Sequence, residues 1–193
     1  TRWESLRLRA LEEQTALLPY ALAFFALGLL MFTWASSFAD NAALMSLSLT
    51  IFAINWGVFY ALAGAVRRDP KITKNARVRT RVHLLGGLLW ALAIGQISLF
   101  ALGAGPARET LLILAAGAAA ATYFFLAPLL PSLLILAPLA AACPIIGLFL
   151  APDTRHMGIL ASGALAFAMA LSLVVNRIIQ RQFVLGYERD RLS

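Results

Sequence analysis

The stretch Arg67 to His83, RRDPKITKNARVRTRVH, carries seven of the sixteen Lys and Arg residues of the chain. It lies between two of the most apolar segments of the sequence, 42–66 and 82–103. Lys and Arg collect beside a bilayer and not within it, so this pattern is typical of a loop between two membrane-spanning helices. We therefore interpret the run as a loop between the second and third helices of a membrane bundle.

The composition of the whole chain agrees with this interpretation. Of its 193 residues, 61% are hydrophobic and 13% are charged, whereas a soluble domain is roughly half apolar and a quarter charged. A helix that crosses the hydrocarbon core requires about 20 apolar residues. Six segments meet this requirement: 16–35, 42–66, 82–103, 110–126, 130–150 and 157–179. The sequence predicts an all-α, polytopic membrane protein with six transmembrane helices.

The basic residues also predict the orientation of the chain. With a cytoplasmic N-terminus, fourteen of the sixteen Lys and Arg residues lie on the cytoplasmic side, and only Arg108 and Arg155 lie outside. Because Lys and Arg favour cytoplasmic loops, both termini are expected in the cytoplasm. The residues of the 67–83 run that set this topology are Arg67, Arg68, Lys71, Lys74, Arg77, Arg79 and Arg81. Nucleic acid is not an expected partner, because the run contains no aromatic residue on which bases stack.

The pattern of charged and apolar residues divides the chain into three regions. Residues 1–15 are predicted to form an amphipathic lead-in helix that continues into helix 1 and turns Trp3, Leu6, Leu8 and Leu11 toward lipid. Residues 16–180 form the six-helix domain. Residues 181–193 form an exit helix, in which Arg177, Arg181, Phe183 and Tyr187 are the candidate residues for transmitting a signal. The chain ends in a helix-compatible stretch, GYERDRLS, so we expect an output domain beyond it.

The link between helices 4 and 5, FLAPLLPSL, carries no charge and contains Pro128 and Pro131, which end or kink helices. We expect this link to be tucked into the bundle.

The sequence shows no arrangement of residues that is typical of a catalytic site. His83 and His156 are predicted near opposite faces of the bilayer, roughly 30 Å apart, so they cannot share a metal ion or a haem. Cys143 is the only cysteine. We predict no catalytic, cofactor-binding or metal-ligating residue in this segment.

Polar and aromatic residues inside the helices are candidates for binding a ligand or for contacts between helices. Asn55 and Gln96 lie near the middle of helices 2 and 3, where an amide either hydrogen-bonds across a helix interface or lines a pocket for a small amphiphile. Trp56, Trp90 and Tyr123 either wall such a cavity or pack in the core. These five residues are the candidate contacts for a ligand or between helices.

Three stretches occur together in this order: RTRVHLLGGLLWALAIG, LAPLLPSLLILAPLAAACPI and NRIIQRQFVLGYERDRLS. Through these stretches and their order, the chain resembles the six-helix N-terminal sensor regions that precede GGDEF and EAL domains, and some histidine kinases, in Gram-negative bacteria. The resemblance implies an input domain in the bacterial inner membrane. It also implies a homodimer, a small-molecule or lipid cue, and a cytoplasmic output domain for cyclic-di-GMP turnover.

Other function classes stay open at this point. A histidine-kinase sensor region would share the same architecture. A small transporter or permease would also explain six helices, although the helices lack the ionisable residues and the internal repeat that favour transport. A membrane-embedded transferase or protease would require a partner for a histidine at mid-membrane depth, and none is present.

Overall fold

The structure, a computed structural model, describes residues 2–69 and 75–193. Lys71 and Lys74 therefore lie outside the described residues. Six long helices make up the described chain: α1 (Arg2–Ser36), α2 (Ala42–Arg68), α3 (Ala76–Ala101), α4 (Arg108–Leu126), α5 (Leu130–Phe149) and α6 (Arg155–Leu192). Short 3₁₀ turns at Gly105–Ala107 and Pro152–Thr154 precede α4 and α6, and no strand occurs in the described ranges. The predicted all-α class is confirmed, and all six helices are long and apolar enough to cross a membrane.

Asparagine caps determine where α2 and α3 begin. The side chain of Asn41 accepts a hydrogen bond from the Leu44 amide at 3.1 Å, and that of Asn75 accepts one from the Arg77 amide at 3.1 Å. Such caps satisfy amides that have no partner within the helix. Because Asn75 starts α3 at Ala76, most of the basic run is helical. The prediction that the third helix begins at Val82 is wrong, because α3 begins six residues earlier, within the basic run.

Helices α3 and α4 occupy the centre of the bundle. Helix α3 contacts α1, α2, α4 and α5, while α4 contacts α1, α3, α5 and α6. Their buried faces are rich in alanine, including Ala93 and Ala101 of α3 and Ala115 and Ala119 of α4. Small residues let helix backbones approach closely. All six helices also expose large apolar side chains, as expected for surfaces that meet lipid.

The uncharged link between α4 and α5 is buried, as the sequence predicts. Residues 125–129 are all buried, and the carbonyl oxygen of Ala127 accepts a hydrogen bond from Asn176 Nδ2 of α6 at 2.8 Å. The link therefore belongs to the interior of the bundle and attaches α6 to it.

The lead-in segment is the first part of α1, which runs without a break from Arg2 to Ser36. Trp3 is 80% exposed, but Leu11 is completely buried. The prediction that Leu11 turns toward lipid is wrong, because this part of α1 packs against α3 and α6. Arg9 of α1 and Asp190 of α6 form an ion pair at 3.6 Å, so both termini lie at the same end of the bundle.

Gly105 provides a test of the described connection between α3 and α4. Its φ is +58°, and an added Cβ would lie 2.5 Å from Asp40 Oδ2. We expect Gly105→Ala to lower the free energy of unfolding by about 1–3 kcal/mol, since a left-handed backbone strains a residue with a Cβ. The measurement is denaturant unfolding of the purified protein in detergent.

Gly163→Ala is the matched control, because no atom lies within 4 Å of its added Cβ. This helical change should leave stability unchanged or raise it by up to about 1 kcal/mol. Equal stability of the two variants would contradict the described connection.

Candidate functional site

A polar network links α1 and α3 at the end of the bundle that carries both termini. Thr15 Oγ1 of α1 lies 2.9 Å from Arg79 Nη2 and 3.1 Å from His83 Nε2, and it donates to the Leu11 carbonyl at 2.7 Å. A hydroxyl group has one proton to donate and can accept two hydrogen bonds. Thr15 thus accepts from Arg79, while the direction of its hydrogen bond with His83 follows the tautomer of the imidazole.

The two residues that α3 contributes to this network are buried. Arg79 is 7% exposed and His83 is 4% exposed. The prediction that Arg79 lies in a loop at the headgroups is wrong. Since α3 begins at Ala76, Arg79 and His83 fall on the face that also buries Gly86, Gly87 and Trp90. Arg67, Arg68, Arg77 and Arg81 are exposed.

A second link between the same two helices lies nearer the end of the bundle. Arg7 Nη2 donates a hydrogen bond to Thr80 Oγ1 at 3.2 Å, and Thr80 donates to the Ala76 carbonyl at 2.7 Å. Thr80 is buried, whereas Arg7 is exposed. Two arginines on different helices are thus each hydrogen-bonded to a threonine of the other helix.

A small cavity of about 30 Å³ lies next to this network. Its lining includes Gln14, His83, Gly86, Trp90 and Thr122. Gln14 Oε1 is buried and has no hydrogen-bond partner among the described residues. A volume of this size accommodates about one water molecule, so in this conformation the cavity does not admit a larger ligand.

The amides predicted to be ligand contacts lie apart from this cavity. Gln96 Oε1 accepts a hydrogen bond from Ser48 Oγ at 2.8 Å, which joins α3 to α2. Asn55 Nδ2 donates to the Ile51 carbonyl of its own helix at 2.9 Å. The two amides therefore do not pair with each other. Gln96 Nε2 is buried and has no partner within the described ranges.

The predicted aromatic residues have different surroundings. Trp90 is buried in an aromatic cluster, with its ring centroid 5.2 Å from that of Phe25 and 5.4 Å from that of Phe125. Trp56 donates from Nε1 to the Leu22 carbonyl at 3.1 Å, which joins α2 to α1. Tyr123 is buried in the core. Of the five candidate contacts, only Trp90 lines the small cavity.

The predicted signal-exit residues divide between two sides of α6. Phe183 and Tyr187 are half-buried, and the Arg9 guanidinium lies 5.8 Å from the centroid of the Phe183 ring. Arg177 and Arg181 are exposed. The exit helix is thus held against the lead-in part of α1 through its aromatic side.

Sequence reasoning missed the contributions of Arg7, Gln14, Thr15 and Thr80. The available signal was the spacing of Arg79 and His83, which places both on one helical face. That spacing shows that they share a face but not that Thr15 lies opposite. In the described part of the chain, no group of three or more His, Cys, Asp and Glu residues is arranged to hold a metal ion.

Thr15→Val tests the polar network, because it removes the hydroxyl group at nearly constant volume. We expect the free energy of unfolding to fall by about 1–3 kcal/mol, since a buried donor of Arg79 loses its acceptor and buried His83 loses a hydrogen-bond partner. Denaturant unfolding in detergent measures the change.

The control for this prediction is Thr33→Val on the same helix. Thr33 is exposed, and its hydroxyl group donates a hydrogen bond to the Leu29 carbonyl of its own helix at 2.7 Å. A loss of stability as large for Thr33→Val as for Thr15→Val would contradict a network between helices.

Comparisons of the chain with protein-family models, with curated proteins and with solved structures find no match.

Proposed function

We propose that this chain is a membrane-embedded sensory input domain that relays a cue through α6 to a cytoplasmic output domain of the same polypeptide. The observation that carries the proposal is the length of α6, which is one helix of 38 residues. At 1.5 Å per residue such a helix is about 57 Å long, whereas the hydrocarbon core is about 30 Å thick. Helix α6 therefore reaches well beyond the bilayer while keeping its helical register.

The contacts of α6 support a role in transmission. Asn176 is 2% exposed and anchors α6 to the carbonyl of Ala127 in the buried link. Further along, Asp190 and Phe183 contact Arg9 of α1. A rearrangement of α1 or of the buried link would therefore move the end of α6. A cue shifts this equilibrium only if it binds two arrangements with different affinity.

A second copy of the chain is the partner proposed for the outer side of α6. Leu171, Ile178, Leu185 and Leu192 recur every seven residues, and each is at least 51% exposed. Because seven residues make about two helical turns, these side chains form one exposed apolar stripe along α6. The exposed stripe supports a homodimer that pairs through the exit helices.

The type of output rests on the resemblance to the sensor regions described above. It favours diguanylate cyclase or cyclic-di-GMP phosphodiesterase domains as the output and the bacterial inner membrane as the location. On this proposal the catalytic reaction belongs to the output domain, whereas the 193 residues bind the cue and transmit the signal.

Chemical labelling tests the proposed orientation. In a Cys143→Ser background, Asp153→Cys and Ser193→Cys place one thiol at each end of the bundle, at exposed positions. Fourteen of the sixteen basic residues favour a cytoplasmic C-terminus. A membrane-impermeant maleimide should therefore label Asp153→Cys in intact spheroplasts and Ser193→Cys only after permeabilisation. The reverse result would overturn the orientation.

Rotating the output domain about the axis of α6 tests whether α6 transmits the signal. We join residue 193 to a diguanylate cyclase domain and insert two or seven alanines at the junction. At 3.6 residues per turn, two residues rotate the output domain by about 200°, while seven return it to within about 20° of its starting phase. Cyclic-di-GMP production in cells should change severalfold with two alanines and recover with seven. Equal production by all three fusions would contradict transmission through α6.

A further inference from the structure

A groove of about 720 Å³ opens at the end of the bundle that carries both termini. Its walls come from three places: the lead-in part of α1, the link between α4 and α5, and the exit part of α6. The lining residues are Trp3, Leu6, Arg7, Ala10, Thr80, Pro128, Leu129, Leu130, Pro131, Gln180 and Val184. Its volume falls within the range of about 300–1,000 Å³ that is typical of ligand sites.

The spacing of residues in α1 explains why the groove exists. Trp3, Leu6, Arg7 and Ala10 follow one another at three- and four-residue intervals, so they share one face of the helix. Ala10 has a short side chain, which leaves room above the apolar surface of the link. The floor is closed by Thr80, which is buried and bonded to Arg7.

A single charge lies among the described residues that line the groove, and it is positive. Arg7 lines it, and among the described residues no acidic side chain does. A guanidinium has five N–H donors, and the structure assigns one of those of Arg7 to Thr80. An apolar groove whose described lining holds an arginine and no acidic residue is complementary to an anionic headgroup joined to an acyl chain.

We propose that this groove binds one membrane phospholipid with an anionic headgroup. The acyl chain lies along Leu6, Leu129 and Leu130, and the phosphate accepts hydrogen bonds from Arg7. Trp3 is 80% exposed at the mouth, and Trp is enriched where a membrane protein meets the headgroups. The lipid comes from the surrounding bilayer, because the groove opens at the end of the bundle, where the helices leave the apolar region.

The position of the groove gives such a lipid a structural effect. It touches the lead-in part of α1 and the exit part of α6 together, on either side of the buried link. A bound lipid would contact both segments and so stabilise the arrangement in which the groove between them is open. Lipid binding does not require the output domain, so its test is separate from that of the relay.

Native mass spectrometry of the purified 193-residue chain in detergent tests the site. The probes are phosphatidylglycerol and phosphatidylcholine with identical acyl chains. Arg7→Gln should weaken phosphatidylglycerol binding by about tenfold, as expected for loss of a charge-assisted hydrogen bond, and should remove the preference over phosphatidylcholine. Ala10→Trp should fill the groove and reduce binding of both lipids.

Arg67→Gln is the matched control, because Arg67 is exposed at the same end of the bundle and does not line the groove. It should bind both lipids as the unmodified chain does. Unchanged phosphatidylglycerol binding by Arg7→Gln and Ala10→Trp would overturn the site. Equal losses in Arg7→Gln and Arg67→Gln would also overturn it, because they would show general charge attraction. A lipid-insensitive dimer that dissociates in Ala10→Trp would assign the groove to a second copy instead.

Discussion

The close approach of α3 to its neighbours is the constraint on which the rest of the bundle depends. A Cβ added at Gly86 would lie 3.0 Å from the Phe59 ring of α2, and one added at Gly87 would lie 2.7 Å from Leu136 Cδ1 of α5. Lipid is as apolar as a leucine side chain, so helices in a membrane associate through such close packing and not by escaping from water. With α3 held between α2 and α5, Trp90 reaches Phe25 and Phe125, and Arg79 and His83 face Thr15.

Polar links then determine how the outer helices attach to this centre. Ser48 to Gln96 joins α2 to α3, Trp56 to Leu22 joins α2 to α1, and Asn176 to Ala127 joins α6 to the buried link. In an apolar environment an unpaired polar group is costly, so each link favours one register of the helices it joins. These contacts make a movement of one helix costly unless its neighbour moves with it.

Much of the fold could be predicted from the sequence, because the requirement for about 20 apolar residues per crossing is a property of local composition. The buried link was predictable for the same reason, since it carries prolines and no charge. The burial of Arg79 was not predictable. It depends on a cap at Asn75, which starts the helix early, and on a threonine 64 residues away on another helix. Leu11 was misjudged because its spacing alone does not show which neighbour lies opposite. The groove was missed because its three walls are distant in the sequence.

The contact between Arg9 and Asp190 has a consequence for the conditions in which the chain operates. Both side chains are partly exposed, at 37% and 60%, and exposed ion pairs are weak and are screened by dissolved salt. The packing of Arg9 on the Phe183 ring lies beside this pair. The joint between the first and last helices is therefore sensitive to ionic strength, whereas the apolar packing within the bundle is not. A rise in the salt concentration of the surrounding solution would weaken the hold of Arg9 on the end of α6, and a fall would strengthen it.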